Sequence, residues 1–186
     1  MASLAISSPL DKETVTRLRA GDIVSLSGVV YAARDAAHAQ LVAAIWQDSP
    51  LPFDPAGQTL YYMGPSPTPP GRVIGACGPT TSSRMDPFTP AMLHAGVRAF
   101  LGKGARSVET KEAIKKLGAV YLVTYGGAGA LLAKAVRRAE VAAYPELGAE
   151  AVLRLEVANL PAFVAYDIYS GDLFAEEIPK YARDPI

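Results

Sequence analysis

The chain has 186 residues, 50% of them hydrophobic and 19% charged, and eighteen basic residues balance eighteen acidic ones. That length supports one domain with a full core, and the composition excludes a disordered chain. Zero net charge without a Lys/Arg-rich run argues against a nucleic-acid partner, and the single cysteine, Cys77, excludes an internal disulfide. No window approaches the roughly twenty apolar residues of a membrane span. Met1 to Leu10 has no basic leader or cleavage site and does not read as a signal peptide. The expectation is a soluble cytoplasmic protein made of a single domain over residues 1–186.

Taken in order, Ser7 to Ala20 reads as an extended edge strand, because Thr14 and Thr16 alternate with Val15, and it leads to a turn at Gly21-Asp22. Ile23 to Tyr31 alternates and is rich in β-branched residues, so it predicts a strand. Ala33 to His38 then opens a helix with Leu41, Val42, Ile45 and Trp46 at helical spacing, and Asp35 reads as its N-cap. Arg34 sits at the positive end of that helix, which is unfavourable unless an anion or a carboxylate compensates. Either a bound ligand or a pairing with Asp35 meets that need.

Seven prolines fall between Ser49 and Gly71, and the Pro67-to-Pro70 portion is excluded from a helix or a central strand. Thr59 to Met63 reads as one short strand within a long ordered connection. Arg72-Val73-Ile74 reads as another, and Pro90 to Val97 as a helix. Between these two lies Gly75 to Asp86, GACGPTTSSRMD, with two threonines, two serines and Arg84. Hydroxyls and N–H groups donate singly, while a guanidinium grips a carboxylate through two parallel hydrogen bonds, so the loop suits carboxylate or phosphate recognition. An ordinary polar turn set by Gly78 and Pro79 would have the same composition.

Lys103 lies between Gly102 and Gly104, where it can reach over a site as a point charge or sit in a solvated turn. Lys111 to Leu117 reads as a short helix closed by Gly118. Ala119 to Tyr125 is apolar on both faces and therefore predicts a central strand. The glycines of Gly126-Gly127-Ala128-Gly129 lack both nucleotide-binding spacings, so close packing is their use, with room for a ligand's carboxylate. A helix over residues 130–141 follows, with Leu131, Leu132, Ala135 and Val136 inward. Two strands, Ala151 to Val157 and Phe163 to Tyr169, a turn at Ser170-Gly171-Asp172 and a patternless tail from Pro179 to Ile186 complete the chain. Strands alternating with helices predict an α/β fold with mixed sheets.

His38 and His94 have no metal-ligand partner at helical spacing, and a lone cysteine cannot hold an iron–sulfur cluster. Arg34, Thr80, Thr81, Arg84 and Lys103 come from three loops, each at the end of an element. Three cations with hydroxyls between them describe a pocket for a small dianion such as a dicarboxylate. An electrophile is missing from that inventory, which points to half of an active site.

ARDAAH at 33–38, GPTTSSRMDPFTP at 78–90, GKG at 102–104, KKLGAVYLVTYGGAGALL at 115–132 and AYPELGAEAV at 143–152 resemble, in the same order from about Gly21 to Phe174, the β subunit or C-terminal domain of the iron–sulfur class I fumarate hydratases and the related tartrate dehydratases. The resemblance implies a swivelling β/β/α three-layer domain. It also implies a partner α subunit whose three cysteines carry a 4Fe-4S cluster, in a hetero-oligomer that becomes α2β2 if the partner dimerises. It assigns carboxylate binding to Arg34, Arg84 and Lys103 and the general-base role to Thr80; Thr81, a hydroxyl of the same loop, is read as a further substrate-binding residue. Ser83 stands where many members have glycine. The expected activity is reversible hydration of fumarate to (S)-malate, with dehydration of L-tartrate or hydration of mesaconate as alternatives and a non-catalytic dicarboxylate-binding module as a rival class.

Overall fold

A period-two run buries alternate side chains on opposite faces of a strand, and this chain uses both faces. The computed structural model describes residues 3–182. Five strands, β1 (Leu4–Ser8), β2 (Ile23–Ala32), β3 (Thr59–Tyr61), β4 (Ala99–Gly102) and β5 (Val120–Val123), lie side by side in that order and run parallel. Two more, β6 (Val136–Ala143) and β7 (Val152–Tyr166), pair antiparallel with each other. Antiparallel pairings also join β7 to β5 at one flank and to β2 at the other, from Ile23↔Phe163 to Ala32↔Leu153. The pairings close β2, β3, β4, β5 and β7 into a ring.

Inside the ring, Val24, Leu26 and Val30 of β2 meet Tyr61, Leu101, Val120, Leu122, Leu155, Leu160 and Val164 in one buried cluster. The alternate residues Leu60, Phe100 and Tyr121 point the other way, into a second cluster with Leu41, Val42, Met92, Leu93 and Ile114. Those last five belong to α2 (Asp35–Trp46), α3 (Thr89–Ala95) and α4 (Val108–Leu117), which follow α1 (Lys12–Arg17) and precede the short α5 (Gly129–Leu132) and α6 (Leu173–Tyr181). The result is a mixed α/β fold in three layers: one wall of the ring, the opposite wall, and helices over its outer face.

Several local expectations are corrected. Residues 12–17 are helical and not an extended edge strand, because Asp11 caps them by accepting from Thr14 N at 2.7 Å. Arg72 to Ile74 is bent chain without a strand partner, so the loop after it does not leave a strand end. The helix expected over 130–141 stops at Leu132; after a 3₁₀ turn at Ala133–Ala135 the chain becomes β6, and Leu131 is exposed. The two strands expected around Pro161 are one. Residues 160–162 pair with β2 alone, since the pairing of β7 with β6 ends at Val157 and its pairing with β5 begins at Phe163, so the proline removes no donor from a doubly paired position. Thr124 Oγ1 donates to the Pro161 carbonyl at 2.7 Å in that gap.

Downstream, Asp172 caps α6 by accepting from Phe174 N and Ala175 N, so the tail is ordered through Tyr181, while residues 183–186 of the stretch read as patternless lie outside the described part, as do residues 1 and 2. The β6–β7 edge carries a ladder of opposite charges: Arg154 Nη1 reaches Glu140 at 3.2 Å and Glu156 at 2.9 Å, and Arg138 Nη2 donates to Glu140 at 2.9 Å. Among the described residues no helix is long and apolar enough to cross a membrane.

Phe100 is fully buried at the centre of the ring's helix-covered wall. Phe100→Ala is expected to destabilise the fold by about 3–5 kcal/mol, read as a lower urea midpoint with an unchanged denaturant slope.

Candidate functional site

Because β2 to β5 are parallel, their C-terminal ends emerge on one side, where open parallel sheets bind ligands. Arg34 follows β2, Gly64 follows β3, Lys103 follows β4 and Gly126 follows β5. The Gly75–Asp86 loop crosses this rim. Thr80 N donates to the Tyr62 carbonyl at 2.7 Å, and Thr81 pairs with Lys103 in a parallel bridge. Ser82 N then donates to the Lys103 carbonyl at 3.0 Å, while Lys103 N donates to Ser82 Oγ at 3.1 Å. A 3₁₀ turn over Ser82–Met85 presents Arg84.

Glycines make these approaches possible. A Cβ on Gly102 would overlap Ser82 Oγ, and one on Gly64 would lie 3.0 Å from Arg34 Cδ and 2.6 Å from the Ala149 carbonyl. Gly129 packs directly on Gly78, and the Lys103 side chain passes over Gly126, so the glycine cluster after β5 serves close packing between loops.

The structure draws Thr80, Thr81, Arg84 and Lys103 together through these contacts and connects Arg34 to them through Asp35. Arg84 grips Asp35 side-on, Nε to Oδ1 at 2.9 Å and Nη2 to Oδ2 at 2.8 Å, and still keeps 49% of its side chain exposed. Arg34 Nη2 lies 3.3 Å from Glu150 Oε1 and 3.9 Å from Asp35 Oδ2. Asp35 is therefore not the N-cap of α2. Arg34 occupies that position without a side-chain bond, Asp35 is the first helical residue, and Glu150 Oε2 accepts from Ala36 N at 3.1 Å. The compensation that an arginine needs at a helix N-terminus comes here from a carboxylate of the chain itself. Glu150 lies in the AYPELGAEAV stretch, and no local spacing signals its partner 116 positions away.

A buried pair beneath the rim also escaped the sequence reading. Arg106 has no exposed side-chain surface; its Nε donates to Asp86 Oδ1 at 2.6 Å and its Nη2 to Thr89 Oγ1 at 2.6 Å. Asp86 Oδ2 accepts from Ser107 N at 2.9 Å. The guanidinium lies among the rings of Tyr62, Tyr121 and Phe100. The signal available in the sequence was Asp86 itself, two residues after Arg84.

His38 is fully buried in α2, its ring edge-on to Tyr62. Its Nδ1 lies 2.9 Å from the Arg34 carbonyl, which can only accept, so Nδ1 carries the proton. Burial pushes its pKa down to about 4, with the nearby Arg106 charge adding to the effect, so His38 is a neutral structural residue at neutral pH. His94, in the last turn of α3, is exposed and away from these contacts. Burial raises the Cys77 thiol to about 11, and its sulfur donates to the Gly75 carbonyl at 3.3 Å, which makes it an inert core residue. Among the described residues no three His, Cys, Asp or Glu side chains converge as a metal site. A groove of about 590 Å³, lined by residues from the 69–76 and 130–137 segments with Arg72, Lys134 and Arg137 among them, contains none of the five candidate residues.

Residues 2–177 match the family model described as the fumarase C-terminus. The chain is 37% identical over 177 residues to fumarate hydratase 2 of Leishmania major, covering 93% of this chain and 31% of that protein. It is 39% identical over 159 residues to the anaerobic class I fumarate hydratase of Escherichia coli K12, covering 84% of this chain and 29% of that protein. It is also 37% identical over 177 residues to a putative L(+)-tartrate dehydratase subunit beta of Methanocaldococcus jannaschii, covering 92% of this chain and 90% of that protein. The chain thus spans about a third of the fumarate hydratases it matches and nearly the whole of the tartrate dehydratase subunit.

An unfolded His38 takes up a proton near pH 6.5, whereas the folded one does so only near pH 4. Its contribution to stability is complete above pH 6.5 and falls away as pH drops toward 4, a loss of roughly 3 kcal/mol. The difference in urea midpoint between wild type and His38→Asn, followed from pH 7.5 to 4, is expected to trace that slope.

Proposed function

The chain belongs to the fumarase C-terminal family, whose matched relatives are hydro-lyases, and from that premise we propose that it is the β subunit of a two-subunit hydro-lyase adding water reversibly to fumarate to give (S)-malate. The observation that carries the reading is the gathering of Arg34, Thr80, Arg84 and Lys103 on one rim of parallel strands. Asp35 takes Nε and Nη2 of Arg84 and leaves the Nη1 edge of a half-exposed fork to an incoming carboxylate. Lys103 supplies a second, movable positive charge across the loop. Three cations against the carboxylates of Asp35 and Glu150 leave the rim one charge positive, which favours a dianion over a neutral acid.

In this reading Arg84 and Lys103 orient the two carboxylates and Arg34 buttresses Asp35, while Thr81 holds Lys103 in register. Thr80 hands the proton to or from carbon. A threonine hydroxyl is too weakly acidic to do this alone, so it needs a neighbouring charge or a group from the partner. The 4Fe-4S cluster implied by the resemblance does not fit this chain's own residues, since Cys77 is buried with its sulfur committed to a carbonyl. The proposal assigns the cluster to the α subunit, in a cytoplasmic hetero-oligomer of open stoichiometry. A second reading, L-tartrate dehydration, is favoured by the near-complete length match to the tartrate dehydratase subunit.

The test is anaerobic co-expression with a three-cysteine partner, iron–sulfide reconstitution, and parallel assays on fumarate, mesaconate and tartrate. Turnover only in the presence of both chains, ranked highest for fumarate, supports the proposal. A cluster-loaded complex inert to all three acids overturns it, and dicarboxylate binding by the isolated chain without any complex favours the binding module. Arg84→Ala is expected to lower kcat/KM about 100-fold or more, the scale of one lost pair of charge-assisted hydrogen bonds. Arg84→Lys should restore only a small part, because an ammonium cannot grip Asp35 and a substrate carboxylate together.

A further inference from the structure

Two of the proposed substrate-holding cations, Arg84 and Lys103, ride on loops from different parts of the chain, and something must fix the distance between them. Directly contacting groups do part of this: Ser82 and Lys103 exchange main-chain and hydroxyl hydrogen bonds, and the Tyr121 hydroxyl bonds both Ser82 Oγ and the Gly104 carbonyl at 2.8 Å. Below that layer lies the Asp86–Arg106 pair. Asp86 stands two residues beyond Arg84 and Arg106 three beyond Lys103, so their 2.6 Å contact staples one loop to the other. Each partner also fixes its surroundings, Asp86 through Ser107 N and Arg106 through Thr89 Oγ1 and through its own N–H, which donates to the Tyr166 hydroxyl at 3.1 Å.

Stability alone accounts poorly for this pair. Taking both charges out of water is costly, a buried ion pair is often no better for stability than well-packed apolar residues, and Arg106 Nη1 is buried without a partner. The guanidinium carbon of Arg106 lies 5.1 Å from the Tyr121 ring centre, 5.3 Å from that of Tyr62 and 6.0 Å from that of Phe100, so ring faces and a single carboxylate stand in for the water it has lost.

Resting on the hydro-lyase reading for its catalytic consequence, we propose that Asp86 and Arg106 are positioning residues that set the separation and orientation of Arg84 and Lys103. The fork geometry matters as much as the charge. An arginine reaches Asp86 and Thr89 at once, and a lysine reaches one of them. Arg106→Lys therefore keeps the buried charge paired while slackening the staple.

The test has two arms. In the isolated chain, amide hydrogen exchange is followed at Ser82 and Lys103, and at Leu101 and Leu122 as core references. Arg106→Lys is expected to speed exchange at Ser82 and Lys103 about tenfold or more while the reference amides and the urea midpoint move little. Unchanged exchange at the two loop amides, or acceleration spread equally over the core, overturns the proposal. In the reconstituted complex, Arg106→Lys is expected to lower kcat/KM about 10- to 100-fold, the cost of misplacing a holding group by about an ångström. In a Lys103→Ala background the same change should cost much less, since the group being positioned is gone. Equal losses in both backgrounds overturn the positioning role. A wild-type complex without turnover sinks the hydro-lyase reading, and the exchange arm still decides the staple.

Discussion

The hydrogen-bond ladders of β7 hold this molecule together. A parallel run of β2 to β5 alone would leave two open flanks and one uncovered face; the antiparallel fifteen-residue strand bonds to β5 and β2 and joins those flanks. Closure gives the sheet an interior of its own, filled by Val24, Leu26, Leu101, Leu122, Leu155 and Val164, and frees the other side of β3 to β5 for helices. It also holds the strand ends of β2 to β5 in fixed register, which is the condition for a site whose groups come from three loops.

The site is built on that rim by close contact and not by a deep cavity. Glycines at 64, 102 and 129 let neighbouring loops approach to distances that a single methyl group would block. Charged groups are then shared in a chain, Glu150 to Arg34, Arg34 and Arg84 to Asp35, with Arg106 and Asp86 beneath. Each of these side chains is restrained by another, so little rotamer freedom remains to be lost when a ligand arrives.

Much of this was legible in the sequence where local signals and packing agree. The central strand β5, the alternation of β2, and α4 with its left-handed Gly118 follow from period and cap chemistry. The candidate residues were found because each sits at the end of an element in a motif of distinctive composition. Misreadings fell where one signal can serve two structures. Thr-Val-Thr looks extended until Asp11 caps it, and VRRAEVAA looks helical until β7 supplies a partner. Pro161 looks like a break because the sequence cannot reveal that its neighbours change over at that point. Glu150 and Arg106 were missed for the same reason: their partners lie 116 and 20 positions away, and only the fold makes them adjacent.

The charged ladder on β6 and β7 has a meaning for the protein's life in a crowded cell. β6 is one of the two terminal strands of the sheet, and a bare edge of that kind invites a strand from another chain to add on. Arg138, Glu140, Arg154 and Glu156 make the approaching surface a fixed alternation of sign, so an incoming strand meets favourable pairing only in a matching register. Fixed charges beside a strand edge are a general means of discouraging strand addition, and their reach shortens as salt concentration rises.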